Sequence, residues 1–230
     1  MLLLGLQKLT LLDFPGKTAC TVFTGGCDFR CPFCHNAALV TRVSEAQPLP
    51  EEEFFAFLEK RRGILGGVCV SGGEPTLHPD LKPFIKRIKQ MGFAVKLDTN
   101  GNSPRVLAEL ITDGLLDYVA MDIKNSFEKY PLTVGIDEFS INNVAESINL
   151  LLRGSVDYEF RTTVVKELHD PEDIELMAGL VKVAKRYFLQ GFVDSGDVIC
   201  EALSGYDKQT MESLLKVAKT HVKAAELRGF

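Results

Sequence analysis

Short apolar and β-branched runs alternate with amphipathic segments along most of the chain. Seven of these runs predict strands, at residues 18–23, 68–71, 94–98, 118–123, 158–165, 186–192 and 222–227. Strands that alternate with helices form parallel βαβ units, so the pattern predicts an α/β fold. Seven strands are one fewer than a full eightfold barrel needs. We therefore predict a partial TIM barrel, (β/α)6-like, with parallel strands and an open lateral side.

The boundaries of several helices can also be predicted. The segment after Pro50 begins with glutamates at 51–53 and closes with basic residues at 60–62 before Gly63, which suits the helix dipole at both ends. Ser103 and Asp170 each precede a proline, which predicts an N-cap followed by proline at the first helical position. No linker or shift in composition divides the chain, so we expect one domain, residues 1–230.

Chemically distinctive residues follow four consecutive predicted strands. Parallel strands bring their carboxyl ends to one edge, where barrel enzymes collect their catalytic groups. The sequence therefore predicts one site formed by Cys27 after the first strand, Gly72, Gly73 and Glu74 after the second, Asp98, Thr99 and Asn100 after the third, and Asp122 and Lys124 after the fourth.

Charge and hydropathy limit the partners and the compartment. The net charge is −5, with no strongly basic block, so we expect no nucleic-acid partner. The apolar start of the chain is short, has no basic region before it and is interrupted by Lys8 and Asp13, unlike a signal peptide. No stretch approaches the roughly 18–20 apolar residues that span a bilayer. We expect a cytoplasmic protein without a membrane partner.

That compartment affects the interpretation of the six cysteines. Reducing conditions disfavour disulfides, so clustered cysteines indicate metal binding or redox chemistry. Cys69 lies in an apolar run and is predicted to be a buried core residue. Cys27, Cys31 and Cys34, at spacings of four and three, can surround one face of a [4Fe–4S] cluster and leave the fourth iron without a protein ligand.

Three other readings of this segment are weaker. A structural zinc site would need a fourth ligand, and the nearby candidate, His35, is directly beside Cys34. A thioredoxin-like pair of Cys31 and Cys34 would leave Cys27 unexplained. The C-x-x-C-H pattern also occurs in covalent haem attachment, which normally requires export. We expect His35 to be a helix-start or surface residue.

The motif Cys27-x-x-x-Cys31-x-x-Cys34, followed by Ser-Gly-Gly-Glu-Pro at 71–75, resembles the radical S-adenosylmethionine (SAM) superfamily. The similarity covers nearly the whole chain and narrows to the activating enzymes of glycyl-radical enzymes. It is greatest to the activating proteins of anaerobic ribonucleoside-triphosphate reductase. The segments that carry this narrower resemblance are residues 12–17, 98–101, 121–124, 160–165 and 226–229.

The resemblance implies a role for each matching residue. Cys27, Cys31 and Cys34 would bind three irons, and the methionine part of SAM would chelate the fourth. Phe33 would pack beside the adenine, and the segment from Gly72 through Gly73 to Glu74 would hold the methionine amino group. Asp98 and Thr99 would lie near the cofactor or an associated cation. Asp122 would accept a hydrogen bond from the amino group, and Lys124 or Arg161 would pair with the carboxylate.

One departure concerns the ribose. In related activating enzymes, a histidine near the sixth strand often contacts the ribose of the cofactor. Residues 189–194 of this chain contain no histidine. Gln190 or Asp194 would have to replace it, or the adenosyl group is held differently.

The implied activity is that of an anaerobic oxidoreductase. The enzyme reductively cleaves SAM to a 5′-deoxyadenosyl radical, which abstracts hydrogen from a backbone glycine of a partner enzyme. Flavodoxin or ferredoxin would donate the electron, and a monomer is expected. Two alternatives remain: a radical enzyme with a small-molecule substrate, such as 7-carboxy-7-deazaguanine synthase, and an iron–sulfur electron carrier or redox sensor, which would need a fully ligated cluster.

Overall fold

The computed structural model describes residues 1–137, 139–194 and 196–229. Across these residues eight strands form one sheet in sequence order, β1 to β8, with β1 antiparallel to β2 and every later neighbour parallel. Within this part of the chain β8 and β1 are not paired, so the barrel is open on one side. The predicted partial TIM barrel is confirmed. The strands are β1 Leu3–Thr10, β2 Ala19–Thr24, β3 Gly67–Gly72, β4 Ala94–Thr99, β5 Tyr118–Asp122, β6 Asp157–Val164, β7 Tyr187–Gly191 and β8 Ala225–Arg228.

Helices connect the parallel strands, as the alternating pattern predicts. The described helices are α1 Ala37–Thr41, α2 Glu51–Glu59, α3 Leu81–Gln90, α4 Pro104–Thr112, α5 Tyr130–Val134, α6 Asn142–Leu152, α7 Pro171–Leu180 and α8 Lys208–Lys219. The helix predicted after Pro50 is α2, which ends at the C-cap Lys60, before the basic run is complete. None of the helices in the described ranges is long and apolar enough to cross a membrane.

The two predicted N-caps differ in outcome. Asp170 forms a capping box: its side chain accepts the Asp173 N–H at 3.0 Å, and the Asp173 carboxylate accepts the Asp170 N–H at 3.0 Å. Ser103 is the N-cap residue of α4 and Pro104 begins the helix, so the predicted boundary is confirmed, but the Ser103 side chain makes no capping hydrogen bond. The reason is local: at φ −122° and ψ 65° the backbone is not in the extended conformation from which a cap hydroxyl reaches the first turn.

Seven of the strands were predicted, and β1 was not. Its residues mix leucines with glycine, glutamine and lysine, which carry little β-propensity, and only its two end residues are buried. The strand exists because it pairs antiparallel with β2 in a register that sets Leu3 against Thr24 and Thr10 against Ala19. β1 therefore covers the outer edge of the first parallel strand.

Side-chain alternation along the parallel strands separates the core from the site. Successive residues point to opposite faces of a strand. One face packs into the main hydrophobic core with the helices, for example Val70, Leu97 and Phe160, all 0% exposed. The other face carries polar side chains such as Asp98 and Arg161, which line a cavity at the carboxyl edge.

Candidate active site

A polar cavity lies where β2 to β6 end. Every site residue predicted from the sequence lines it except Glu74. The lining residues are Cys27, Phe29, Cys31, Phe33, Cys34, His35, Asn36, Val40, Ser71, Gly72, Gly73, Asp98, Thr99, Asn100, Asp122, Lys124, Arg161 and Thr163. Four separate strand ends and the cysteine loop therefore supply one site.

The cysteine loop follows β2 and is anchored by backbone hydrogen bonds. The Phe29 N–H donates to Cys27 Sγ at 3.3 Å, and the Arg30 N–H donates to the Val134 carbonyl at 2.7 Å. Gly135, with φ +68°, ends α5 directly against this loop, and a Cβ there would lie 2.6 Å from the Arg30 carbonyl oxygen. Glycine is the residue that this close approach allows. The loop is therefore held from behind while its thiols face the cavity.

The three thiols are protonated while no metal binds them. Burial raises the pKa of Cys27 to about 12 and that of Cys31 to about 11, and it raises the pKa of Cys34 as well. Iron binds thiolates, so loading a cluster here must release protons.

The donor set fits a multi-iron cluster. Over the ranges that the structure describes, no three or more His, Cys, Asp or Glu side chains are grouped as ligands of a single metal ion. A cubane cluster makes a different demand, because each thiolate binds its own iron and the sulfurs stand around the cluster. Three thiols spread along one cavity wall meet that demand.

Glycine is required where β3 ends. A Cβ at Gly73 would lie 1.9 Å from the Gly26 carbonyl oxygen, and Gly72 has a φ of +119°. The Asn36 side-chain Nδ2 also donates to the Gly72 carbonyl at 3.0 Å. The end of β3 is therefore packed backbone to backbone against the cysteine loop, and its peptide groups face the cavity without intervening side chains.

Glu74 does not join its neighbours in the cavity. Its side chain is fully buried, and it accepts hydrogen bonds from the Thr76 N–H at 3.0 Å and hydroxyl at 2.6 Å, the Thr99 hydroxyl at 2.8 Å and the Asn100 N–H at 2.6 Å. The carboxylate thus ties the end of β3 to the end of β4. Any contact of this segment with a cofactor would come from its backbone.

We expect the change Glu74→Gln to lower the free energy of unfolding by about 2 kcal/mol, because the new side-chain NH2 would face the Asn100 N–H and leave a buried donor unpaired. Denaturant unfolding of the cluster-free protein measures this loss. Glu226→Gln, at an exposed position on β8, is the matched control and should change stability by less than about 0.5 kcal/mol. Equal stability of the two variants would contradict the structural role of Glu74.

A network of ion pairs forms the floor of the cavity. Arg161 lies between two carboxylates: its Nε donates to Asp122 Oδ1 at 2.9 Å, and its guanidinium nitrogen lies 3.4 Å from Asp98 Oδ2. Lys124 Nζ donates to the other oxygen of Asp122 at 3.0 Å. Buried Lys96, 1% exposed, pairs with Asp98 from below.

Charge pairing keeps both carboxylates ionised. Burial raises the pKa of Asp122, but Arg161 and Lys124 outweigh it and lower the value to about 2. Burial likewise opposes ionisation of Asp98, and Lys96 and Arg161 hold its pKa below the usual range. A cavity floor that offers fixed cations beside fixed carboxylates is suited to a ligand with both charges, such as the α-amino acid part of SAM.

The shift at Asp122 predicts a pH dependence of stability. The folded-state pKa of Asp122, about 2, lies below the ordinary pKa of an aspartate, about 3.9, so the carboxylate contributes stability above about pH 4 that is lost as the pH falls through 2. The full contribution is about 2 kcal/mol, and about half of it is lost by pH 3. Unfolding of the cluster-free protein and of Asp122→Asn between pH 6 and 3 measures this, and the difference between the two should shrink with acid. A constant difference would contradict the charge pairing.

Several lining residues were not predicted from the sequence. They are Ser71, His35, Asn36, Thr163, Val40 and Phe29. Ser71 and Thr163 share the inward face of strands whose other residues were predicted, so strict period-2 counting would have found them.

The histidine at this cavity is not in the position near the sixth strand that is common in related activating enzymes. Neither Gln190 nor Asp194 is among the lining residues. His35 lines the cavity and is exposed, as expected of a surface residue; its ring stacks on Phe192 with centroids 5.3 Å apart, and its Nε2 lies 2.9 Å from the Val193 carbonyl oxygen. An imidazole is therefore present at the cavity, but it comes from the cysteine loop.

Comparison with known proteins gives the family. The Radical SAM superfamily model matches residues 21–185. A protein from Methanocaldococcus jannaschii, provisionally named a glycyl-radical enzyme activating enzyme, is 35% identical over 97% of this chain and 94% of its own length. A 7-carboxy-7-deazaguanine synthase from Methanopyrus kandleri is 30% identical over 77% of this chain and 85% of its own length.

A solved structure agrees on the fold. A domain of pyruvate-formate lyase-activating enzyme from Bacteroides vulgatus superposes with a TM-score of 0.59 at 18% identity, covering 71% of this chain and 99% of that one. The cysteine spacing, the open barrel and the family match agree, and the cofactors of this family are a [4Fe–4S] cluster and SAM. The chain therefore belongs to the radical SAM superfamily.

Proposed function

We propose that this protein generates a glycyl radical on a partner enzyme of the anaerobic ribonucleoside-triphosphate reductase type. The observation that carries the proposal is the shared cavity, in which three thiols, a glycine-rich strand end and paired charges lie together. The similarity to the Methanocaldococcus jannaschii protein, which extends over nearly both chains, supports the choice of a protein substrate.

The cysteine loop would hold the cluster. Cys27, Cys31 and Cys34 would each bind one iron, and the family's open fourth iron would accept the amino and carboxylate groups of SAM. Phe33, 3% exposed with the Lys124 ammonium 5.8 Å from its ring centroid, would offer an apolar surface to the adenine. The loop would thus bind one end of the cofactor and pack against the other.

The strand ends would orient the methionine part. Backbone groups of Gly72 and Gly73 would contact the amino group. Asp122 would accept a hydrogen bond from it, and Lys124 or Arg161 would pair with the carboxylate. Asp98 and Thr99 would complete this wall. Because each carboxylate in the floor already holds a cation, the ligand's charges would exchange with existing partners and the site would need little rearrangement.

When bound, the cluster and SAM supply a carbon-centred radical that can abstract a hydrogen atom. The protein's own contribution is to orient the reacting atoms and to exclude water and other hydrogen donors. The open side of the barrel, between β8 and β1, would leave room for a glycine loop of a large partner. Flavodoxin or ferredoxin would deliver the electron, and we propose a monomer with a single domain, 1–230.

Anaerobic reconstitution tests the proposal in two stages. Protein loaded with iron and sulfide and treated with dithionite and SAM should yield 5′-deoxyadenosine and methionine. Incubation with anaerobic ribonucleoside-triphosphate reductase should then produce the EPR doublet of a glycyl radical on that protein, with pyruvate formate-lyase as the comparison. No SAM cleavage at all would overturn the enzymatic proposal, whereas a doublet only on pyruvate formate-lyase would overturn the partner.

A small-molecule substrate is the second candidate, because the match to 7-carboxy-7-deazaguanine synthase covers most of both chains. It predicts turnover without a protein partner. Cleavage of SAM that accelerates with the substrate of 7-carboxy-7-deazaguanine synthase and leaves no radical on either glycyl-radical protein would favour this candidate.

A further inference from the structure

Asn100 is a buried residue at the cavity whose side chain contacts the cysteine loop. It follows the last residue of β4 and is 6% exposed. Its backbone N–H donates to Glu74 at 2.6 Å, which fixes the position of its Cα. The side chain extends from the end of β4 towards the loop that carries the thiols.

The orientation of the Asn100 carboxamide is set by its neighbours. The Asn102 N–H donates to Asn100 Oδ1 at 2.9 Å, so that oxygen must face Asn102. The NH2 group then faces the cysteine loop, where Nδ2 lies 2.7 Å from Asp28 Oδ1 and 3.9 Å from Cys27 Sγ. An amide nitrogen has two hydrogens. One can go to the Asp28 carboxylate and the other to the sulfur.

The three cysteine sulfurs differ in their hydrogen bonds. Cys27 Sγ accepts from the Phe29 N–H at 3.3 Å and from Asn100 Nδ2 at 3.9 Å. The Asn36 backbone N–H partly offsets the burial that raises the pKa of Cys34, whereas no side-chain amide in the described ranges donates to the sulfur of Cys31 or Cys34. Cys27 is thus the cysteine whose sulfur a side-chain amide contacts.

We propose that Asn100 tunes the reduction potential of the cluster through Cys27. This inference rests on the proposed role of Cys27 as a cluster ligand. Reduction adds negative charge to the cluster and its sulfurs, and an N–H donor stabilises the more negative form, so the donor makes reduction easier. Asn100 is a positioning residue in this role, since it acts through the cysteine.

Asp28 makes the contribution of Asn100 larger. Its carboxylate Oδ1 lies 3.8 Å from Cys27 Sγ, and a negative charge at that distance opposes reduction. Asn100 Nδ2 contacts both groups, and Asn102 Nδ2 binds the other oxygen of Asp28 at 2.7 Å. Removing Asn100 would withdraw a donor from the sulfur and leave the carboxylate charge unshielded beside it.

A redox titration of the reconstituted holoenzyme tests the proposal. In Asn100→Ala the midpoint potential should become more negative. At the wild-type midpoint the ratio of reduced to oxidised cluster should fall about threefold to tenfold, and tenfold corresponds to 59 mV for one electron. EPR of the reduced cluster during a dithionite titration gives this ratio, and iron and sulfide analysis shows separately whether the cluster is bound.

Asn102→Ala is the matched control, because it removes the other amide donor of Asp28 without touching the sulfur. Its midpoint should shift by less than half as much as that of Asn100→Ala, because it loses one donor of Asp28 and keeps the amide contact with the sulfur. A loaded Asn100→Ala protein with the wild-type midpoint would overturn the proposal, as would equal shifts in the two variants, which would indicate only a structural clamp on Asp28. Failure of the wild-type protein to bind any cluster would instead overturn the proposed function.

A second measurement needs no variant at position 100. Wild-type holoenzyme labelled with 15N-asparagine should show, in pulsed EPR of the reduced cluster, a weak hyperfine coupling to an amide nitrogen. The coupling should persist in Asn102→Ala, since that nitrogen bonds only Asp28. Its absence from wild-type protein would overturn the proposal even if Asn100→Ala cannot be loaded with a cluster.

Discussion

Replacing Cys31 with alanine is expected to abolish SAM cleavage and to prevent stable cluster binding. Cys31 is the most buried of the three thiols, 7% exposed, and lies in the middle of the loop whose backbone holds the other two. With three cysteine ligands, one of the four irons already has no protein ligand. The loss of Cys31 would leave only two thiolates, so a second iron would also have no protein ligand. Iron and sulfide content, the absorbance of the cluster and the yield of 5′-deoxyadenosine measure the result.

Cys200→Ala is the control for this loss. Cys200 is partly exposed and does not line the cavity, although its backbone N–H donates to the Pro32 carbonyl at 2.9 Å within the same loop. That hydrogen bond survives substitution by alanine, so cluster content and turnover should match those of the wild type. A full cluster in Cys31→Ala, or its loss in Cys200→Ala, would show that the ligand assignment is wrong.

Arg161→Gln is expected to lower the free energy of unfolding of the cluster-free protein by about 3 kcal/mol. The side chain is 15% exposed and pairs with both Asp98 and Asp122. Glutamine would leave each carboxylate with a single cation and bury part of the negative charge without compensation. Denaturant unfolding at pH 7 measures the change. Arg153→Gln, at an exposed position after α6, should change stability by less than about 0.5 kcal/mol.

A double variant separates charge from packing at this site. Asp122→Asn removes one of the two carboxylates that Arg161 balances. If charge is the cause, Asp122→Asn combined with Arg161→Gln should lose less stability than the sum of the two single changes. Strict additivity of the two losses would attribute the effect of Arg161 to packing.

The parallel strands and the cavity were predictable because both follow from local periodicity. A buried strand such as the one that contains Val68 and Val70 can be predicted from its apolar run. The residues at the carboxyl ends of such strands lie close together because the strands are parallel. β1 could not be found in this way, because its pairing with β2 and not its own composition makes it a strand.

The direction of individual side chains was harder to predict. The resemblance grouped Glu74 with Gly72 and Gly73, yet its carboxylate turns away to four donors at the neighbouring strand ends. Asn100 was predicted to lie at the site from its position after a strand, but its contact with the Cys27 sulfur was not predicted. The contacts of Glu74 with Thr99 and Asn100, and that of Asn100 with Cys27, join segments more than 20 residues apart, which no local pattern encodes.

The directions of the first and last strands place both ends of the described chain at the edge that carries the cavity. The Leu2 carbonyl accepts the Gly25 N–H at 3.1 Å beside the cysteine loop, and Arg228 pairs with Gln190 near the end of β7. A peptide fused to either end would start next to the site. A glycine-loop peptide joined by a flexible linker would therefore be held at a high effective concentration, which would turn a weak encounter between two proteins into an intramolecular reaction.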